Sequence, residues 1–373
     1  MAYILKRSKY FLCSQRILNY YKKVDFWIIF AIIAIFVYIF GLLAHPFELS
    51  YETAFSYPLK GNIKNCVAAL ANKQTVDCRI INSYDYKFLI DNKLKCDTQT
   101  PIKLVLIIKS AIDHVDRRAA IRESWGHENR FSDVTIKRLF ILGVDEENQS
   151  SDLIQNEQNK YGDIIQANFL DTYYNNTIKT MVGFSWAAQH CPNGQFYVFS
   201  DDDMFVSIKN ILKFIRNPTE YPEYLEKSNN SAVSNFINKG LNYELPENVL
   251  FLSGFVHQSA PHRHQCSKWY VSLKEYPYDF WPPYPSAGSY IVSREALKLM
   301  HYASFFTQHF RFDDIYLGLL AKKLGIEPFH CPKFLMFEAP YDAKNFKYVL
   351  AAHGFHSQEM TKIWLEQKML GNA

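Results

Sequence analysis

The chain has 373 residues and is 48% hydrophobic, 21% charged and 16% aromatic, which suits one large or two ordinary domains and excludes a disordered or collagen-like protein. Its formal charge of +4 is uneven, because six of the 41 Lys and Arg residues, against one of the 37 Asp and Glu residues, precede residue 26. The remainder is close to neutral, so nucleic-acid binding has no electrostatic support.

Residues 1–25 read as a basic cytoplasmic tail. From Phe26 to Ala44 the 19 residues FWIIFAIIAIFVYIFGLLA carry no charge, and as a helix they would span roughly 28 Å, about one hydrocarbon core. A buried core helix and a cleaved signal peptide are the alternatives, but the first would show a polar face and the second a shorter apolar region. With the basic residues before the span, the positive-inside rule predicts a single-pass type II protein anchored at 26–44. His45-Pro46 follows at once, and so short a span suits a thin Golgi-type bilayer.

Six cysteines, Cys66, Cys78, Cys96, Cys191, Cys266 and Cys331, lie beyond the span, where a lumenal compartment permits disulfides. Six cysteines allow fifteen pairings, and the sequence does not choose among them. Glycosylation sequons at Asn148, Asn175 and Asn229 agree with that compartment.

Residues 45–100 show no sustained periodicity and read as a lumenal stem, with a catalytic domain over 101–373. The run 102–109 (IKLVLIIK) predicts a buried strand, and 116–125 a helix. Strands follow at 138–143, 164–165 and 196–200, alternating with helices at 151–161 and 177–190; further helices are expected at 204–216 and 315–324. This alternation predicts an α/β fold with a mostly parallel sheet, whose ligands bind at the carboxyl ends of the strands.

The strand FYVFS runs straight into Asp201-Asp202-Asp203. Three adjacent carboxylates repel one another, so a cation or hydrogen-bond donors must compensate them. In extended chain Asp201 and Asp203 face one way, an oxygen pair suited to Mg2+ or Mn2+ against a diphosphate; an acidic turn capping the next helix is the alternative. Asp313-Asp314, flanked by Phe312 and Ile315, form a second acidic pair, either a proton acceptor with a raised pKa or the start of a helix. Between them, 280–290 (FWPPYPSAGSY) offers rings that stack on sugars and, at Gly288, close backbone approach, with ordinary core packing as the other reading. Arg117, Arg118 and Arg122 suit either phosphate or an ion-pair network.

These blocks resemble the inverting β1,3-glycosyltransferases that include the β1,3-galactosyl- and β1,3-N-acetylglucosaminyltransferases. The matching segments are 117–126 (RRAAIRESWG), 139–143 (LFILG), 171–180 (DTYYNNTIKT), 199–205 (FSDDDMF), 281–293 (WPPYPSAGSYIVS) and 313–318 (DDIYLG). The stretches 41–59, 126–140 and 267–284 resemble more narrowly the Brainiac-like branch of that family.

The resemblance implies a GT-A fold, UDP-GlcNAc as donor, Mn2+ (Mg2+ as substitute) as metal, and a β-mannose on a glycosphingolipid as acceptor. It implies Asp314 as the catalytic base of a single inversion, and Asp203 with Asp201 and His353 around the metal; His356 competes with His353. It further implies Arg118, Arg122, Lys179, Asp201 and Asp202 at the donor nucleotide, and Trp281, Tyr284, Gly288 and Asp313 toward the acceptor. Two positions depart from the family pattern: Ser200 stands where Lys is frequent, and Asp313 where Glu is. A galactose or GalNAc donor, or an inactive lectin-like Golgi protein, are the competing expectations.

Overall fold

The structure is a computed structural model that describes residues 26–56, 63–75, 78–146, 150–228, 245–337 and 340–373. Chain contacts divide it into two compact units: Met1–Tyr57 with Ser259–Trp281, and Pro58–Gln258 with Pro282–Ala373. The expected tail over 1–25 lies outside the described residues.

In the smaller unit the apolar segment is helical over 26–39 and turns at 40–44, where Gly41 has φ +70°. The expected single helix over 26–44 is therefore shorter at its end. Among the described residues no helix is long and apolar enough to cross a membrane. The helix nevertheless exposes large side chains along its length, including Phe26, Trp27, Ile29, Ile33 and Phe36. The same unit is tied internally by the buried Arg263 guanidinium, which donates to Glu48 Oε1 at 2.7 Å and to the carbonyls of Val271, Tyr276 and Tyr278.

The larger unit is built on an eight-stranded sheet in the order β1-β4-β3-β2-β5-β8-β7-β9. Its strands are β1 (Phe88–Ile90), β2 (Ile102–Lys109), β3 (Thr135–Val144), β4 (Ile164–Leu170), β5 (Gly194–Asp201), β7 (Leu252–His257), β8 (Tyr284–Ser293) and β9 (Phe329–His330). The central four, β4-β3-β2-β5, are parallel, while β1 and β8 join antiparallel. Strand β2 is buried on both faces, which is why its sequence is a continuous apolar run rather than an alternation.

Alternation along the strands sorts the core into two layers. Leu104, Leu106, Ile108, Phe140 and Val198 pack with Ile121 and Trp125 from α2 (Val115–Glu123) and its following turn, and with Met360 and Ile363 from α8 (Ser357–Met369). The odd residues Ile107, Ile141 and Phe199 face α4 (Asn176–His190), where Gly183 leaves room for them: a Cβ there would lie 2.6 Å from the Ile141 side chain. Beside α4 lie α6 (Arg294–Ser304) and α7 (Asp313–Leu324), with α1 (Lys64–Ala71) against α6; α3 (Ser151–Tyr161), α5 (Ile208–Arg216) and a short helix at Glu223–Ser228 also belong to this unit.

Two expectations change. Met204–Val206 is strand β6, not the first turn of a helix, and the helix begins after Ser207, whose hydroxyl accepts from Asn210 N. The reason is tertiary: β6 pairs antiparallel with β11 (Ala351–His353), which also pairs with β10 (Phe334–Leu335) in a three-stranded sheet. Nor are residues 63–100 a stem. Helix α1 packs on α6, β1 extends the main sheet, and Cys96 is disulfide-bonded to Cys191 at the end of α4. A second disulfide joins Cys66 to Cys78, while Cys266 and Cys331 are thiols.

Candidate active site

Strands β2 and β5 end side by side, with Lys109 in register with Asp201. A lysine closing a buried strand must be neutralised, and Lys109 Nζ donates to Asp201 Oδ1 at 2.9 Å and to Asp313 Oδ2 at 2.8 Å. Thr180 Oγ1 on α4 adds a second donor, to Asp313 Oδ2 at 2.9 Å. The two acidic motifs thus meet on one ammonium. Burial alone would lower the Lys109 pKa, but the two carboxylates outweigh it and drive it upward.

Asp313 begins α7 and is buried, yet Lys109 and Thr180 hold its carboxyl below the usual carboxylate value against the cost of burial. Asp314, the next residue, is pushed up to about 7, by burial first and then by the neighbouring Asp313 charge. Ile315 N donates to Asp314 Oδ1 at 2.7 Å, which fixes the carboxyl at the first turn of the helix. Two adjacent carboxyls with pKa values driven apart are what a proton-transfer site requires.

The triplet splits three ways. Asp201 keeps 38% of its side chain exposed; burial raises its pKa to about 6 despite Lys109, and water damps that rise. Asp202 is buried and bound by His114 Nδ1 at 2.8 Å and Arg117 Nη1 at 2.9 Å. Asp203 Oδ2 lies 3.5 Å from His353 Nε2 and 3.7 Å from Arg117 Nη1. Its other oxygen, Oδ1, is buried without a hydrogen-bond partner. Burial raises the Asp203 pKa, but the imidazole and the guanidinium outweigh it and leave it lowered.

The β6–β11 pairing, which sets His353 opposite Met204, brings this histidine to the triplet; His356 stands at the N-cap position of α8, with no side-chain capping bond. An orphaned carboxylate oxygen beside an imidazole is a donor pair that fits Mn2+. Among the described residues no group of three or more His, Cys, Asp or Glu side chains is placed to hold a metal ion, so any further ligands must come from elsewhere.

Other expected contacts fall in different places. Arg118 is fully buried, bonded to Glu157 and to the 110–112 segment that follows β2. Arg122 binds Glu157 and Asp163, and Arg138 also reaches Asp163, which has no exposure. These two arginines, expected at the donor nucleotide, are committed to an internal ion network that positions the loop after β2. Lys179 is buried against Asp171 Oδ1 at 2.6 Å and the Ser110 carbonyl at 2.7 Å, on the same loop.

On the acceptor side, a Cβ at Gly288 would come within 3.4 Å of Met204 Sδ, so this backbone runs directly beside the triplet's β6. Tyr284 packs against α7 at Gly318, where a Cβ would lie 2.6 Å from Tyr284 Cβ. Gly318 is one turn after Asp314, which sets Tyr284 on the helix face that carries it. The Tyr284 ring stacks on His257 at 5.2 Å, and Phe337, 69% exposed, borders His257 and Phe255. Trp281 belongs to the smaller unit and is buried against Tyr276, with ring centroids 3.9 Å apart. Asn175 donates its side-chain nitrogen, the atom an N-glycan would occupy, to Leu170 O; Asn148 and Asn229 lie outside the described residues.

Sequence reasoning passed over Lys109 and His114 and gave Arg117 no role of its own. The signal for Lys109 was available, as a cation closing an apolar run, LVLII, beside an acidic strand end.

The galactosyltransferase family profile matches residues 116–240 and 229–332, which take in every acidic residue just described. The chain belongs to the galactosyltransferase family. It is 38% identical over 328 residues to beta-1,3-galactosyltransferase brn of Drosophila melanogaster, covering 87% of this chain and 90% of the relative. It is 30% identical over 286 residues to beta-1,3-galactosyltransferase 1 of Mus musculus and of Homo sapiens, covering 77% of this chain and 80% of each. The resemblance drawn from the motifs, including its Brainiac-like branch, is borne out. A galactosyltransferase LgtC crystal structure, 10% identical, superposes with a TM-score of 0.32 over 72% of this chain, too slight a likeness to bear on the fold.

Proposed function

We propose that this chain is a membrane-anchored Golgi β1,3-N-acetylglucosaminyltransferase of GT-A fold that moves GlcNAc, with inversion, from UDP-GlcNAc to the 3-hydroxyl of a β-mannose on a glycosphingolipid. The observation that carries the reading is the Lys109 bridge, which ties the Asp201-Asp202-Asp203 rim to Asp313 at the start of α7, directly beside Asp314, the carboxyl of raised pKa.

In this reading Asp314 accepts the proton of the attacking hydroxyl. A group with pKa near 7 is ionised enough to act and basic enough to take the proton. Asp203 and His353 would hold Mn2+, and Asp201 would stand nearer the nucleotide. The bound ion supplies charge neutralisation of the departing UDP. Arg117 and His114 fix Asp202 and hence the turn of the triplet. Gly288 and the exposed Phe337 ring would flank the acceptor, Phe337 offering a flat apolar face to a sugar, while the buried Tyr284 ring supports it through His257. The exposed apolar side chains over 26–39 support a membrane anchor, with the enzyme domain lumenal.

The relatives, named beta-1,3-galactosyltransferases, favour a second reading, in which the donor is UDP-galactose. Donor profiling with UDP-GlcNAc, UDP-galactose and UDP-GalNAc against mannosyl-, galactosyl- and glucosyl-lipid acceptors separates the two. Turnover with UDP-GlcNAc and the mannosyl lipid is expected. Turnover only with UDP-galactose would select the second reading, and tight UDP binding with no transfer to any acceptor would leave a lectin-like protein.

A further inference from the structure

At the opposite end of the parallel strands lies a cavity of about 910 Å³, bordered by the first residues of β2, β3 and β5 and by α5. Counted along β2 it is roughly 20 Å from Lys109, so it is separate from the carboxylate rim. Its size falls within the range of small-molecule sites.

The lining is one-sided in charge. Lys103 on β2, Lys137 on β3, and Lys209, Lys213 and Arg216 on α5 all border it, with Lys209 Nζ already donating to the Gly371 carbonyl and Lys103 likewise engaged. The three on α5 recur at helical spacing and share one face of it. Two acids accompany them, Glu128 and Asp133, and Glu128 is already engaged by Lys95 Nζ at 3.1 Å and by Arg138 N at 2.6 Å. The crowding of cations registers on Lys213, whose pKa is lowered by burial and then by Lys209 and Lys347. Between the cations the wall is apolar, formed by Phe131, Val134, Phe196 and Leu212.

Like charges gathered around a recess raise the energy of the empty site, and an anion relieves that repulsion. A bare inorganic ion would leave the apolar wall unused, and a neutral apolar molecule would leave the charges of Lys137, Lys213 and Arg216 unanswered. We propose that this cavity binds a phosphate or sulfate ester carried on an apolar body, at a site distinct from the one that takes the sugar nucleotide.

Calorimetric titration of the full chain with hexyl phosphate tests this, with hexanol and inorganic phosphate as the two half-ligands. Hexyl phosphate is expected to bind at least tenfold more tightly than either half. Lys213→Gln and Lys137→Gln should each weaken it about tenfold, with unchanged melting temperature and unchanged transfer activity in the absence of probe. Binding of hexanol equal to that of hexyl phosphate, or affinity insensitive to both substitutions while the variants remain folded, would overturn the proposal. Vesicles of phosphatidylserine and phosphatidylcholine in equal parts distinguish the sources: displacement of hexyl phosphate assigns the ester to a membrane lipid, and persistence of the bound probe assigns it to a soluble metabolite.

Discussion

Lys109 and Asp313, 204 positions apart in the chain, meet in a 2.8 Å ion pair in the protein interior. The pair joins the end of a central strand to the start of the helix that bears Asp314. Replacing Lys109 with Met leaves Asp201 and Asp313 without their shared cation. Breaking a buried pair in this way costs about 3–5 kcal/mol, so urea denaturation should show a loss of that order, together with lost transfer. An unchanged midpoint would mean that water, not Lys109, neutralises the two acids.

Asp314→Asn is expected to lower kcat by roughly 10²- to 10⁴-fold, the range for removing a general base, while UDP-sugar affinity measured by calorimetry stays as it was. The pH profile carries the sign. A base acts when ionised, so kcat/KM should fall as pH drops through about 7, the value to which burial and Asp313 raise this carboxyl. A profile flat from pH 8 to pH 5 would remove Asp314 from the role.

Asp203→Asn keeps the shape of the side chain and removes the charge beside His353. Mn2+-dependent binding of UDP should weaken by at least tenfold, and activity at saturating UDP-sugar should no longer respond to added Mn2+. The same Mn2+ response in variant and parent would place the metal elsewhere.

Asp163 is buried between Arg122 and Arg138, and its pKa is lowered: burial pushes it up, but the two guanidinium groups outweigh that. A depressed folded pKa gives stabilisation that is fully present above the unfolded value of about 3.9 and is lost as pH falls through the folded value. Asp163→Asn should therefore cost about 3–5 kcal/mol at pH 7, with KM for the donor unchanged. A raised KM in a stable variant would return Arg122 to the nucleotide.

Gly318→Ala inserts a methyl group where Tyr284 Cβ lies 2.6 Å away, so the strand start must shift while the metal residues stay in place. Acceptor KM should rise several-fold while donor KM holds, in a two-substrate steady-state analysis. Equal changes in both would mean that Tyr284 acts only through packing.

The parallel core was legible because β2, β3 and β5 are apolar runs separated by helix-length segments, and period and length alone settle such elements. The acidic rim was legible for a different reason, since carboxylates after a buried strand need an explanation wherever they occur. What hid was non-local. Met204–Val206 looks like the start of a helix until β11, nearly 150 residues later, claims it as a strand. Arg118 and Arg122 look like phosphate ligands until Glu157 and Asp163 are seen beside them, and those acids sit on a segment with no motif to mark it. Lys109 needed its register with Asp201, which only the folded sheet supplies.

The Cys96–Cys191 bridge and the β1 edge strand bear on how the enzyme can be trimmed. A version beginning at Pro101, where the recognisable motifs open, would strip the outer strand from β4 and leave Cys191 as a stray thiol without its Cys96 partner. Cutting upstream of Ile63 keeps the strand, the bridge and the helix that rests on α6. The segment ahead of the motifs is thus a fitted flank of the catalytic body, and the tether of the proposed anchor has to be sought earlier in the chain.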